Sequence, residues 1–407
     1  MNTGLRRFSK KKTNTMKTNR SLLLIASALV MVCLLGGGLV VKVGAAESSY
    51  RQAVLFAEIL SQVLDNYVDP VEADGLLEGA YEGMLGSLDP NGAYLTAAEV
   101  SAWKNPGDPS RSDPGISVLK SGHSIQVVAV AAESPAEDAG VRVGDHLRSV
   151  DGVLFRDLSL QQARRMIAGE TGTVVRIELL HTEDGFRREA LELVRTSRQS
   201  APYELRVERG TAILRIHDLR ELPLEEIAKE LDDVRSRPVD RLLLDLRNLA
   251  LGGPRDGARA AALFTDRGRL SLRDRSGRVV DTVESEQGLS AWTGPLFVLV
   301  NGATAEGGEA LALIVREGTE VRVFGETTFG LGAETKLFEL QNGAGLLLSS
   351  ELWETSEGST WHARGVEPDE EIEGEGRDFA DSSADQLKRV LEILDAPAST
   401  EAERDAA

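Results

Sequence analysis

Two short runs, Leu242-Leu243-Leu244-Asp245-Leu246 and Leu296-Phe297-Val298-Leu299-Val300, constrain this chain more than any other feature. Successive side chains of a strand point to opposite faces, so an almost unbroken apolar strand requires a sheet covered on both sides. The two runs belong to an alternating series. Strand-like Ala212 to Ile216 precedes a helix carrying Leu224, Ile227, Ala228 and Leu231; the first apolar run precedes a helix near Ala258 to Phe264; the second precedes a helix from Glu309 to Val315 and a strand from Val321 to Phe324. Such alternation specifies an α/β core with a mixed or parallel sheet covered by helices.

Upstream the pattern changes. Residues 50–104 read as a helical segment, with Val54, Leu55, Ile59, Val63 and Leu64 and then Leu76, Leu77, Ala80, Met84 and Leu85 at helical spacing, closed by the turn cluster Leu88-Asp89-Pro90-Asn91-Gly92. The polar Pro/Gly/Ser stretch between Trp103 and Pro114 is a candidate linker. Short β-rich runs follow (Ile125 to Val130, His146 to Val150, Val174 to Leu180), with one amphipathic helix after the N-cap candidate Ser159. The series Ser134-Pro135-Ala136-Glu137-Asp138-Ala139-Gly140, Val143-Gly144-Asp145 and Asp151-Gly152 resembles the PDZ domain. The expected organisation is a basic flank and apolar segment at 1–46, a helical segment at 50–104, an inserted PDZ domain at 112–198, the α/β core at 199–375 and a C-terminal helix at 383–396 packing on the core through Leu387, Val390, Leu391 and Leu394.

The amino terminus faces a different environment from the body. Leu22 to Val41 is 20 residues without a charge, long enough for the ~30 Å of a bilayer core. Residues 1–46 hold eight bases and no acid, so the formal charge of −19 divides into a basic flank and a body of 38 bases against 65 acids, a balance of −27. The flank is expected to stay in the cytoplasm and the body to be exported to the cell envelope or periplasm, behind a single-pass anchor or after cleavage near Val43-Gly44-Ala45. The acidic body disfavours nucleic acid. The single cysteine, Cys33, lies in the apolar run, which leaves no disulfide framework, CxxC metal site or thiol nucleophile.

Ligands of open α/β sheets bind beyond the carboxyl ends of strands. Two glycine-bearing loops lie there, Asp245 to Gly253 and Asn301 to Glu309, and their chemistry suits either plain turns or amides that cradle an oxyanion. From about residue 54 to 396 the chain resembles the carboxyl-terminal processing peptidases, or tail-specific proteases, through Asn66-Tyr67-Val68-Asp69-Pro70, Leu88-Asp89-Pro90, the PDZ segment, Leu244-Asp245-Leu246-Arg247-Asn248, Val298-Leu299-Val300-Asn301, Thr328-Phe329-Gly330 and Gly365-Val366-Glu367-Pro368-Asp369. The resemblance implies a serine peptidase with a Ser/Lys dyad, in which a lysine of depressed pKa deprotonates the hydroxyl. Laid on this chain with the serine just before the glutamate, it places the nucleophile at Gly308 and the lysine at Leu331, so neither half of the dyad is present. Gly252, Gly253 and Glu309 become the oxyanion-loop candidates. Thr304, four residues before Gly308, and Lys336, five after Leu331, are the candidate substitutes for the dyad.

The resemblance further implies that a peptide tail adds as a strand beside Gly115, Ile116, Ser117 and Val118, facing Ala163 and Ile167. The five histidines, His123, His146, His181, His217 and His362, show no metal-ligand spacing and are expected in polar surface. No metal or cofactor is expected. The reading is an exported pseudopeptidase that binds polypeptide C-terminal tails or regulates an envelope protein; the alternatives are an active serine endopeptidase with relocated residues and a scaffold for an active relative.

Overall fold

The structure, a computed structural model, describes residues 50–105, 112–181, 186–196, 201–220, 222–285, 289, 291–374 and 379–396. Cys33 and the whole of segment 1–46, with the apolar run Leu22–Val41, lie outside these residues, as do residues 106–111 of the expected linker. Among the described residues no helix is long and apolar enough to cross a membrane.

The chain divides into two compact units, Met1–Leu77 and Glu78–Ala407. In the first, residues 50–66 form helix α1, and Val54, Leu55 and Ile59 on it are exposed. Helix α2 (Ala73–Gly86) contains the division.

The second unit does not continue as the purely helical segment expected up to residue 104. Strand β1 (Ala93–Leu95) interrupts it before α3 (Ala97–Lys104), which Thr96 and Glu99 cap reciprocally. Three residues carry too little periodicity to announce a strand; β1 exists because a distant stretch, Gly345 to Leu347, pairs with it.

The PDZ region is a sheet in the order β2-β3-β4-β6-β7, built from β2 (Ile116–Ser121), β3 (Ser124–Val130), β4 (His146–Val150), β6 (Val174–His181) and β7 (Arg187–Val194), with β5 (Val153–Leu154) paired to β4. A single turn of helix, α4 (Pro135–Asp138), follows β3, and α5 (Leu160–Ile167) starts at a Ser159–Gln162 capping box and buries Leu160, Ala163 and Ile167. Gly115 enters β2 at φ +92°, where an added Cβ would meet the Ser134 side chain at 2.2 Å. Gly115→Ala is therefore expected to destabilise the protein by about 1–3 kcal/mol, read as a fall in Tm; an unchanged Tm would show that the turn relaxes freely. His181 departs from the expected polar surface. It is buried on β6, with Nδ1 2.9 Å from Asp145 and Nε2 3.0 Å from Glu189, and these two carboxylates satisfy the ring nitrogens that burial takes out of water.

The core sheet has the order β17-β14-β13-β10-β9-β8. Its strands are β8 (Tyr203–Glu208), β9 (Thr211–Ile216), β10 (Arg241–Asp245), β13 (Leu296–Val300), β14 (Val321–Gly325) and β17 (Glu370–Glu371); β8 is antiparallel and the rest run parallel. Leu242, Leu244, Val298 and Val300 pack with α6 (Leu224–Arg235), α7 (Pro254–Ala261) and α8 (Gly307–Gly318). Leu243 and Leu299 pack on the opposite face with Val390 and Leu391 of α9 (Phe379–Asp395). This is the double covering that the apolar runs demand. A second, antiparallel sheet contains β1, β11 (Arg269–Asp274), β12 (Val279–Glu284), β15 (Ala333–Glu339) and β16 (Gly345–Thr355). Sequence reasoning did not find it: β1 is three residues long, and β11, β12 and β15 mix charged with apolar residues and show no continuous apolar run.

Candidate functional site

The loops after β10 and β13 lie side by side because their strands are parallel neighbours. Asn248 and Asn301 join them: the Asn301 Nδ2 donates to Asn248 Oδ1 at 2.7 Å, and the Asn248 backbone N–H donates to Asn301 Oδ1 at 3.0 Å. Asn248 takes φ +61°, a conformation that asparagine tolerates better than most residues. The Asp245 carboxylate at the end of β10 receives Arg247 through Nε (2.8 Å) and a terminal nitrogen (2.7 Å), both residues being buried. Burial opposes ionisation of Asp245, but the Arg247 and Arg215 charges together hold its carboxyl below the usual range.

Glu309 is the centre of the second loop. Its carboxylate, fully buried, accepts from the Thr328 hydroxyl, from the Gly330 N–H at 2.6 Å, the Leu331 N–H at 2.8 Å and the Glu306 N–H at 3.0 Å. Burial pushes its pKa up to about 7 against the pull of those four donors. Glu309 thus ties the start of α8 to the loop that presents Leu331, and its carboxylate is sealed from solvent and already engaged by four donors.

Gly308 does not sit where a nucleophile could work. A Cβ there would point at the Leu249 carbonyl oxygen, 3.0 Å away, and at the Thr304 methyl, also 3.0 Å, inside packed structure. The strained turn is two residues earlier. Glu306 has φ +51° and ψ −111° at the junction between the β13 loop and α8, the kind of sharp turn that lifts one side chain out at a helix start. Its carboxylate is 2.7 Å from Arg164 on α5, with side chains 20% and 26% exposed. Leu331 is buried and belongs to the apolar cluster of the PDZ region together with Ala250, Ala303 and Ala305.

The amides expected to cradle an oxyanion are committed elsewhere. The Gly253 N–H donates to Asp256 at 2.9 Å, the Gly307 N–H to the Gly252 carbonyl at 3.0 Å, and the Gly308 N–H to the Ala305 carbonyl at 3.0 Å. Gly252 itself serves the turn, at φ +100°. Nor do the substitute residues meet. Thr304 is buried with its hydroxyl on the Leu246 carbonyl at 2.9 Å, while Lys336 projects from β15, half exposed, and pairs with Glu351 of β16.

The PDZ groove residues are buried by the protein's own chain. Ile116, Ser117 and Val118 on β2 and Ala163 and Ile167 on α5 are at most 8% exposed, and an Arg164 terminal nitrogen reaches across from α5 to the Val118 carbonyl at 3.4 Å. Between the PDZ region and the core remains a cleft of about 290 Å³, lined among others by Leu119, Ser124, His146, Asn301, Glu326 and Phe329.

Residues 210–372 match Peptidase family S41, and residues 126–180 match the PDZ domain. The chain belongs to peptidase family S41. Among similar proteins of the family are a carboxy-terminal-processing protease of Bartonella bacilliformis, 27% identical over 80% of this chain and 76% of its own length, and carboxy-terminal processing protease CtpA of Bacillus subtilis, 27% identical over 78% and 68%. A carboxyl-terminal-processing protease of Synechocystis is 31% identical over 67% of this chain, which spans 65% of it. The solved structure of a photosystem II D1 C-terminal processing protease matches in fold with a TM-score of 0.58 and 24% identity, covering 81% of this chain and 96% of that one. Within this S41 fold, sequence reasoning singled out the loop that carries the strained turn but not Glu306 or its partner Arg164. A glutamate shows no mark of a positive φ in the sequence, and the ion pair joins residues 142 positions apart, so no local signal was there to be read.

Proposed function

We propose that this S41 peptidase homologue is an exported, catalytically inactive PDZ protein that holds polypeptide C-terminal tails or regulates an envelope partner, with Glu306 and Leu331 standing at the two dyad positions. One observation carries the reading: the residue lifted out by the strained turn is a carboxylate bound to Arg164, and the other dyad position is a buried leucine, so neither position offers a nucleophilic hydroxyl or an amine to take its proton. The names of the similar proteins, all carboxy-terminal processing proteases, support the substrate class of tails. Export rests on the acid-free basic flank and the uncharged run Leu22–Val41.

The test is incubation of the full chain with an unstructured polypeptide ending in an apolar tail. Binding without cleavage is expected, followed by mass spectrometry of the substrate over hours. Cleavage by the wild-type chain that disappears in Thr304→Ala or Lys336→Ala would overturn the reading. Gly308→Ser combined with Leu331→Lys is expected to restore no cleavage, because a serine at 308 faces the Leu249 carbonyl.

A further inference from the structure

The Glu306–Arg164 pair and the burial of Leu331 share a consequence for the PDZ groove. The groove between β2 and α5 is where an added strand would lie, and its edge is occupied. Arg164 spans it, with one terminal nitrogen on the Val118 carbonyl at 3.4 Å and the other on the Glu306 carboxylate at 2.7 Å. An incoming tail strand needs the outward backbone groups of β2 free to pair, and the Val118 carbonyl is already engaged. On the apolar side, Leu331, Ala303 and Ala305 of the core share one cluster with Val118, Ala163 and Ile167 of the groove. Glu306 is also held in a backbone conformation that costs of order 1–3 kcal/mol, which only the surrounding contacts maintain.

We propose that Glu306 and Leu331 form a two-point fastening, one ionic and one apolar, that closes the PDZ groove against the core, so that a polypeptide tail binds only by displacing Arg164 from Glu306 and the groove from Leu331. This rests on the reading of the protein as a tail binder, and it adds that the two positions without catalytic chemistry have an interdomain role. A buried lysine at 331 would put a charge into the apolar cluster, and a serine at 306 would leave Arg164 without its carboxylate. Fastening and dyad chemistry therefore exclude each other at these positions.

The test measures two quantities on the full chain: hydrogen exchange of the backbone amides in residues 116–121, and the affinity of a fluorescent peptide with an apolar C-terminal residue. Glu306→Gln is expected to speed exchange and to tighten peptide binding by about two- to fivefold, the upper part of the range that follows from losing a partly exposed ion pair. Arg164→Gln removes the pair from the other side and is expected to speed exchange likewise. In the charge exchange Arg164→Glu with Glu306→Arg, exchange is expected to return towards the wild-type rate. Unchanged exchange and unchanged affinity in folded Glu306→Gln protein would overturn the fastening. Faster exchange with no peptide binding in any variant would leave the fastening standing and sink the tail-binding function, and cleavage of the peptide would sink the inactive reading alone.

Discussion

Glu309→Ala is expected to lower the stability of the core by about 4 kcal/mol or more, the largest effect of any single substitution near the site. The change strands four donors at once, the Thr328 hydroxyl and the N–H groups of Glu306, Gly330 and Leu331, and a buried donor left without a partner costs about 1–3 kcal/mol. Thermal and denaturant unfolding read the loss directly. The same residue sets a pH dependence. Burial pushes its carboxyl up to about 7 in the folded protein, from an ordinary value of 4.5, so the folded state keeps the proton over a range in which the unfolded state has released it. Below the unfolded pKa the contribution is complete; it is lost as pH rises through the folded value, a difference of about 3 kcal/mol at most. Stability measured at pH 5 and pH 8 should therefore fall with rising pH in the wild type and vary less in Glu309→Gln. Equal slopes in the two proteins would show that another group carries the dependence.

Asp245→Ala is expected to cost about 3–5 kcal/mol, because Arg247 would remain as a buried charge without its carboxylate. Its pH dependence has the opposite sign to that of Glu309. The Asp245 pKa is lowered in the folded state, so its contribution is present above the unfolded carboxyl range and is lost as pH falls through the lower folded value. Replacing both partners by apolar residues of matched volume is expected to cost much less than removing Asp245 alone. A double-mutant cycle on unfolding free energies distinguishes the two cases, and additivity of the single losses would show that the pair does not act as a unit.

Much of the core was legible because its strands are apolar on both faces. β13 occupies Leu296–Val300 as the apolar run does, and β10 begins one residue before its run and ends one residue before it. The PDZ helix starts after Ser159 because a Ser-x-x-Gln capping box is a local signal. The antiparallel second sheet was not legible. Ala93 pairs with Leu347, 254 positions away, and no local pattern records a partner at such a distance.

The candidate site divides along the same line. From residue types at strand ends the loop from Asn301 to Glu309 was identifiable; the loop around Leu331, and the lack of a serine or lysine at the dyad positions, came from the family resemblance. Which residue the turn lifts out is a matter of φ and ψ, and Glu306 rather than Gly308 takes the strained values. That its carboxylate meets Arg164, and that Leu331 joins the apolar cluster of a domain inserted far upstream, depends on how the PDZ region rests on the core. Side-chain alternation and caps act within a few residues and can be read along the chain; an ion pair or a shared cluster across 142 residues exists only once the packed domains bring the groups within hydrogen-bonding or van der Waals distance.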